Sequence, residues 1–141
     1  MKPAVRYPLT IYYDASCPMC ASEMLALKDR DAHDRLILID CSAAGFPDQV
    51  EGVSRQAMME LIHARDAGGV WRVGVEVFEA AYRAAGLTWA ARLWGNRFLR
   101  PLWSRLYPWV ARNRQSLSRL GANRLVRRLI PSPRDESSRP H

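Results

Sequence analysis

Leu9-Thr-Ile-Tyr-Tyr-Asp-Ala-Ser-Cys-Pro-Met-Cys20 is the stretch from which the rest of the chain is read. Ile11, Tyr12 and Tyr13 continue from Leu9 as a β-branched and aromatic run suited to a buried parallel strand, and Asp14 closes it. From Cys17 or Pro18 to about Ala32 the pattern turns helical, with Met24, Leu25 and Leu27 apolar and Glu23, Lys28, Asp29 and Arg30 polar. Ser16 or Cys17 is the N-cap, and Pro18 fits the first turn because its missing N–H would have been unpaired there. A thiol at a helix start faces the positive end of the helix dipole and several unpaired backbone N–H groups, which favours thiolate over thiol.

Leu36 to Ile39 is a second apolar run, ending in Asp40 and Cys41. A helical connection between two such strands makes them parallel, so both end on the edge where the Cys17 helix starts. As neighbours about 4.8 Å apart, they would put Cys41 on the same side of the domain as the cysteine pair. Residues 42–55, with Gly45, Pro47 and Gly52, read as a loop with at most a short helix. Ala57 to Ala64 and Val70 to Val73 flank Arg65-Asp-Ala-Gly-Gly69 as a β-hairpin, although Met58 to Ile62 fits a helix equally well. Gly74 leads into a helix over Val75 to Ala85, with Val77, Phe78, Ala81 and Tyr82 on one face. A parallel pair, then an antiparallel hairpin, with C-x-x-C after the first strand, is the α/β arrangement of a thioredoxin-like fold. It is complete by about Gly86. Residues 87–130 follow as a helical extension expected to pack on it. Pro131 to His141, rich in Pro, Ser and charge, has nothing to bury and reads as a disordered tail.

The length of 141 residues allows one cored domain with an appendage. Charge is divided unevenly. Residues 1–86 carry nine Lys or Arg against twelve Asp or Glu, a net −3, whereas residues 87–141 carry twelve Arg against two acids, a net +10. Three cysteines, two of them locally paired, do not make a disulfide framework. The first residues lack the apolar core of a signal peptide, and no window approaches 18 uninterrupted apolar residues. A cytoplasmic protein, with peripheral attachment to a membrane as a further option, is the expectation.

Disulfide exchange needs a low-pKa thiolate and a second thiol near enough to resolve the mixed disulfide. A spacing of three at a helix start puts the sulfurs about one turn apart, within disulfide reach. Cys17 is expected as the attacking thiolate and Cys20, further into the helix and more buried, as the resolving thiol. Pro18 and Met19 would stiffen the loop. The redox-active Cys17–Cys20 disulfide is itself the working group, and no cofactor or metal is called for. The alternative is a metal-binding module, for which Cys41, His33 or His63 would have to join the pair in a tetrahedral site. Cys41 reads either as an accessory thiol or as a small buried residue at a strand end. Asp14, three residues before Cys17, reads as a turn or cap residue or as a candidate proton acceptor during exchange.

With Asp14, Cys17 and Cys20 placed, the chain resembles the DCC-motif family of predicted thiol-disulfide oxidoreductases, named for Asp-x-x-Cys-x-x-Cys after the first strand. Gly68-Gly-Val-Trp-Arg-Val-Gly74 followed by Val77 and Phe78 is similar to the family's hairpin-to-helix step. Tyr107-Pro-Trp-Val-Ala-Arg-Asn-Arg114 resembles its closing helix, so the likeness spans about residues 9–115. The resemblance implies electron exchange with a disulfide or dithiol substrate and a role for Asp14. Two departures stand out. The family's glycine after the aspartate is Ala15 here, so the turn must avoid a left-handed backbone. Thioredoxin's cis-proline before the hairpin also has no counterpart in Ser54-Arg-Gln-Ala57.

From Leu87 to Ile130 there are ten arginines and no acids, among Trp89, Trp94, Phe98, Trp103, Tyr107 and Trp109. Leu87, Ala91, Trp94 and Phe98, then Trp103, Leu106 and Val110, recur at helical spacing, with Gly95 and Pro101 dividing the segment. Either the apolar faces pack on the domain while the arginines are solvated, or the segment is an interfacial helix on anionic lipid. Nucleic acid has the charge in its favour but no recognition motif to go with it. An interaction module with non-catalytic cysteines is accordingly the alternative to an enzyme.

Overall fold

The computed structural model of the chain describes residues 3–121 together with 124 and 128, so the expected tail over 131–141 lies outside the described residues. The elements are β1 (Leu9–Tyr13), α1 (Pro18–Asp29), β2 (Leu36–Asp40), β3 (Gln49–Val50), β4 (Val53–Ser54), α2 (Arg55–Glu60), β5 (His63–Arg65), β6 (Trp71–Val73), α3 (Val75–Ala84), α4 (Thr88–Gly95) and α5 (Arg100–Arg119). The main sheet has the order β2-β1-β5-β6. β1 and β2 are parallel from Leu9 opposite Leu36 to Tyr13 opposite Asp40, while β5 and β6 join antiparallel. Helices flank this mixed sheet, and the fold is thioredoxin-like.

Alternation along β1 divides the interior. Leu9, Ile11 and Tyr13 face a core with Met24 and Leu27 of α1 and Val77, Ala81 and Tyr82 of α3. Tyr12 faces a smaller cluster with Cys41 and Met58. Burying side chains such as Leu27 and Leu36, which lose all contact with solvent, stabilises the fold by about 1.5–3 kcal/mol each. Leu25, expected among the apolar residues of the first helix, instead lies outward with 55% of its surface exposed.

One short element departs from the sequence reading, and another decides between its two alternatives. Part of the expected loop is the β3–β4 hairpin, which turns at Glu51 and Gly52, both with positive φ. Of the two readings of the stretch from Ala57, the helical one holds as helix α2, because the Ser54 hydroxyl accepts the Ala57 N–H at 3.1 Å and caps that helix. β5 is correspondingly only three residues long.

The C-terminal helices share the core of the sheet. Leu87, Ala90 and Ala91 are buried in the same cluster as β1 and α3. The Trp94 ring stacks on Phe78 at 5.1 Å between centroids, Trp103 lies 4.8 Å from Trp94, and Tyr107 meets Phe78 edge-on at 5.5 Å. Tyr107 also packs against Gly74, where φ is +66° and a Cβ would meet the ring at 3.3 Å. Glycine is needed there both for the backbone and for the approach of the ring. No helix among the described residues is long and apolar enough to cross a membrane.

Candidate active site

Cys17 is the N-cap of α1, with extended backbone, and Pro18 opens the helix. Its carbonyl accepts the Ala21 N–H at 2.9 Å and its Sγ accepts the Cys20 N–H at 3.4 Å. The Cys20 thiol also hydrogen-bonds to the Cys17 sulfur. The Cys17 sulfur thus accepts a backbone N–H from the first turn of the helix it caps. The Cys20 thiol is pushed strongly upward, first by that hydrogen bond, then by burial and by charge on Cys17, with Arg114 opposing.

The expected order of burial is reversed. Cys17 has no exposed surface, whereas Cys20 is partly exposed. As a cap, the Cys17 sulfur folds back over the first turn of α1, and α5 lies against α1. Position along a helix did not decide which sulfur meets solvent.

The turn before Cys17 is fixed from two directions. Asp14 is buried, and its Oδ1 accepts both the backbone N–H, at 3.0 Å, and the hydroxyl of Ser16. Its Oδ2 accepts Arg114 Nη2 at 2.9 Å, and the same nitrogen donates to the Met59 carbonyl at 2.8 Å. Ala15 donates its N–H to Asp40 Oδ1 at 3.1 Å, which ties the turn to the end of β2. Burial would raise the Asp40 carboxyl, but donors from Ser42 and Ala15 outweigh it and hold the group below its ordinary value. Among the described residues, positive φ outside glycine occurs only at Asp34 and Glu51, so Ala15 keeps a backbone that suits alanine.

Glu23 of α1 and Tyr82 of α3 meet beneath the cysteine pair, where the Tyr82 hydroxyl donates to Glu23 Oε1 at 2.8 Å. Glu23 as a whole is half-buried. Burial pushes its carboxyl up to about 7; the Tyr82 hydrogen bond opposes the rise, and charge on Cys17 adds to it. Tyr107 of α5 accepts the Ile62 N–H at 3.3 Å, just ahead of β5, and its hydroxyl is raised chiefly by burial. The stretch directly ahead of the hairpin is Leu61 and Ile62 and not Ser54–Ala57, which the rest of α2 separates from β5; it too has no proline, and a tyrosine hydroxyl meets its backbone N–H.

Cys41 follows β2, its N–H donating to the Tyr13 carbonyl at 2.8 Å, but its side chain packs into the cluster with Tyr12 and Met58. Burial, with Asp40 and Asp14 adding and Arg55 opposing, pushes its thiol up to about 11. His33 is exposed, and His63 is buried with Nδ1 against the Leu61 carbonyl at 2.8 Å. Among the described residues, no three His, Cys, Asp or Glu side chains gather as a metal site.

Glu23, Tyr82, Tyr107 and Arg114 were not recognised as site residues from the sequence. Glu23 looks like one more polar residue of α1, Tyr82 like part of an apolar face, and Arg114 like one of many solvated arginines. The signal available was the seven-residue step from Tyr107 to Arg114, two turns on one face of a helix.

A family model for DCC1-like thiol-disulfide oxidoreductases matches residues 11–120, which takes in the motif, the sheet and α5. The chain belongs to that family. Membership carries a general redox role for a protein holding Cys17 and Cys20 at the start of α1. Among curated proteins, the chain is similar to an uncharacterized chloroplastic protein of Arabidopsis thaliana, 31% identical over 85 residues. That alignment covers 59% of this chain and 40% of the relative, so the chain spans about two fifths of that protein's length. No solved structure matches.

Proposed function

We propose that the protein is a thiol-disulfide oxidoreductase in which Cys17 attacks and Cys20 resolves. The observation that carries this reading is the Cys17 sulfur at the N-cap of α1, accepting the backbone N–H of Cys20 and lying beside the Cys20 thiol. In the reducing direction, the Cys17 thiolate attacks a substrate disulfide and forms a mixed disulfide, releasing one substrate thiolate. Cys20 then gives up its proton and attacks the Cys17 sulfur. That step releases the second substrate thiolate and leaves the Cys17–Cys20 disulfide, with two electrons passed to the substrate. The oxidising direction is the reverse. Because Cys17 is enclosed, exposure of its sulfur precedes attack.

Two carboxylates are candidates for the proton of Cys20. Asp14 holds Ser16 through one oxygen and Arg114 through the other, so protonating it means giving up an ion pair. Glu23 is held only by the Tyr82 hydroxyl among its described hydrogen bonds, and its value of about 7 matches a base working near neutral pH. In this reading Glu23 accepts the proton, and Asp14 with Arg114 keeps the turn in place.

The test is titration of the purified protein's thiols against a redox buffer. A reversible two-electron couple lost in Cys17→Ser and in Cys20→Ser is the expected result. Stoichiometric zinc held by these cysteines, with no such couple, would refute the enzyme and favour a metal-binding module.

A further inference from the structure

The C-terminal helices carry two apolar faces, and only one is used in the fold. On α5, Trp103, Tyr107 and Arg114 turn inward to Trp94, Phe78 and Asp14. Leu102, Leu106 and Trp109 follow at steps of four and three along a different face, with 52%, 40% and 50% of their surfaces exposed. Beside that stripe runs a row of exposed arginines, Arg105, Arg112 and Arg119, seven residues apart and so nearly in line along the helix. The helix before it continues the same composition. Trp89 and Leu93, one turn apart on α4, are 61% and 43% exposed, and Phe98 in the connection is 80% exposed. Residues 87–119 themselves contain no acid, although Glu60 of α2 lines the same hollow as Arg112.

The geometry points to this outer face of α4 and α5 as a docking surface for an anionic lipid bilayer. Charge complementarity selects an anionic partner. Shape separates a bilayer from a protein, since the stripe is the convex side of a helix with its charges in a line, which suits a plane that yields to Trp, Phe and Leu. Apolar residues entering the boundary of the acyl chains while an arginine row meets phosphate is how an amphipathic helix lies in an interface. The surface is separate from the cysteines, so attachment is independent of the redox reading. It would leave Arg114 facing the fold and turn the outer side of α5 to lipid.

The experiment is co-sedimentation of the full chain with phosphatidylcholine vesicles, with and without a minority of phosphatidylglycerol, over a range of salt. Binding is expected only with phosphatidylglycerol, weakened by salt, with a blue shift of tryptophan emission. Replacing Leu106 and Trp109 by Ser, both exposed, should abolish it without changing the circular dichroism. Each of R105Q, R112Q and R119Q should weaken partitioning about fivefold. Equal binding to neutral vesicles, or unchanged binding of the Leu106/Trp109 variant, would overturn the proposal. So would a concentration-dependent dimer that the same variant breaks in protein indifferent to vesicles, which would assign the face to a second copy. Tight binding to duplex DNA in such protein would assign the arginines to nucleic acid instead.

Discussion

Replacing Glu23 by Gln isolates what its enclosed charge costs, because glutamine keeps an acceptor for the Tyr82 hydroxyl and has no proton to lose. The carboxyl rises from 4.5 to about 7 on folding, a span worth about 3 kcal/mol at about 1.4 kcal/mol per pH unit. An acid whose value is raised by folding binds its proton more tightly in the fold. Its contribution is therefore full below the unfolded value and is lost as pH rises through the folded one. Glu23 is half-buried, so solvent screens part of the charge. The reduced protein should consequently lose about 2 kcal/mol between pH 5 and pH 8 through this group, and Glu23→Gln should not. Urea unfolding of both proteins across that range measures the difference, which should grow in favour of the variant as pH rises. Charge on Cys17 contributes to the rise, so forming the Cys17–Cys20 disulfide should move the midpoint of this pH effect downward. Parallel stability curves for the two proteins would refute the placement of Glu23 in an enclosed site beside the thiols.

Removing Arg114 as Arg114→Met strands the buried Asp14 carboxylate and should lower stability by about 2–4 kcal/mol in thermal unfolding, with much of the loss restored by adding Asp14→Asn. Leu27→Ala, at a fully buried position of α1, should cost about 2–5 kcal/mol in urea unfolding. A chain ending at Gly86 loses Leu87, Ala90 and Ala91 from the core along with all of α5, and its unfolding followed by circular dichroism should no longer be cooperative.

Features set by apolar runs or by a clear helix start were legible in the sequence. β1, β2 and α3 follow from apolar runs or faces of adequate length, and α1 from Pro18 beside Cys17, which marks its start. The two-residue strands β3 and β4 have no period to read. The choice between strand and helix after Ser54 turned on one hydroxyl meeting one N–H, which composition does not express. The candidate site was legible only in its local part. Cys17, Cys20 and Asp14 share one turn, but Tyr82, Tyr107 and Arg114 arrive from helices whose docking angle is a tertiary outcome. Exposure of the sulfurs is not legible in the motif for the same reason, since the element lying against α1 comes from the far end of the chain.

The ion pair between Asp14 and Arg114 joins residues 100 positions apart. During synthesis at about 5–20 residues per second, the cysteine motif leaves the ribosome some 5–20 s before the arginine that completes its turn. Through that interval the two thiols are present without their closing helix, open to any oxidant in the compartment. The cysteine motif is thus made well before the turn that holds it is complete, and that turn stays unclosed until α5 arrives.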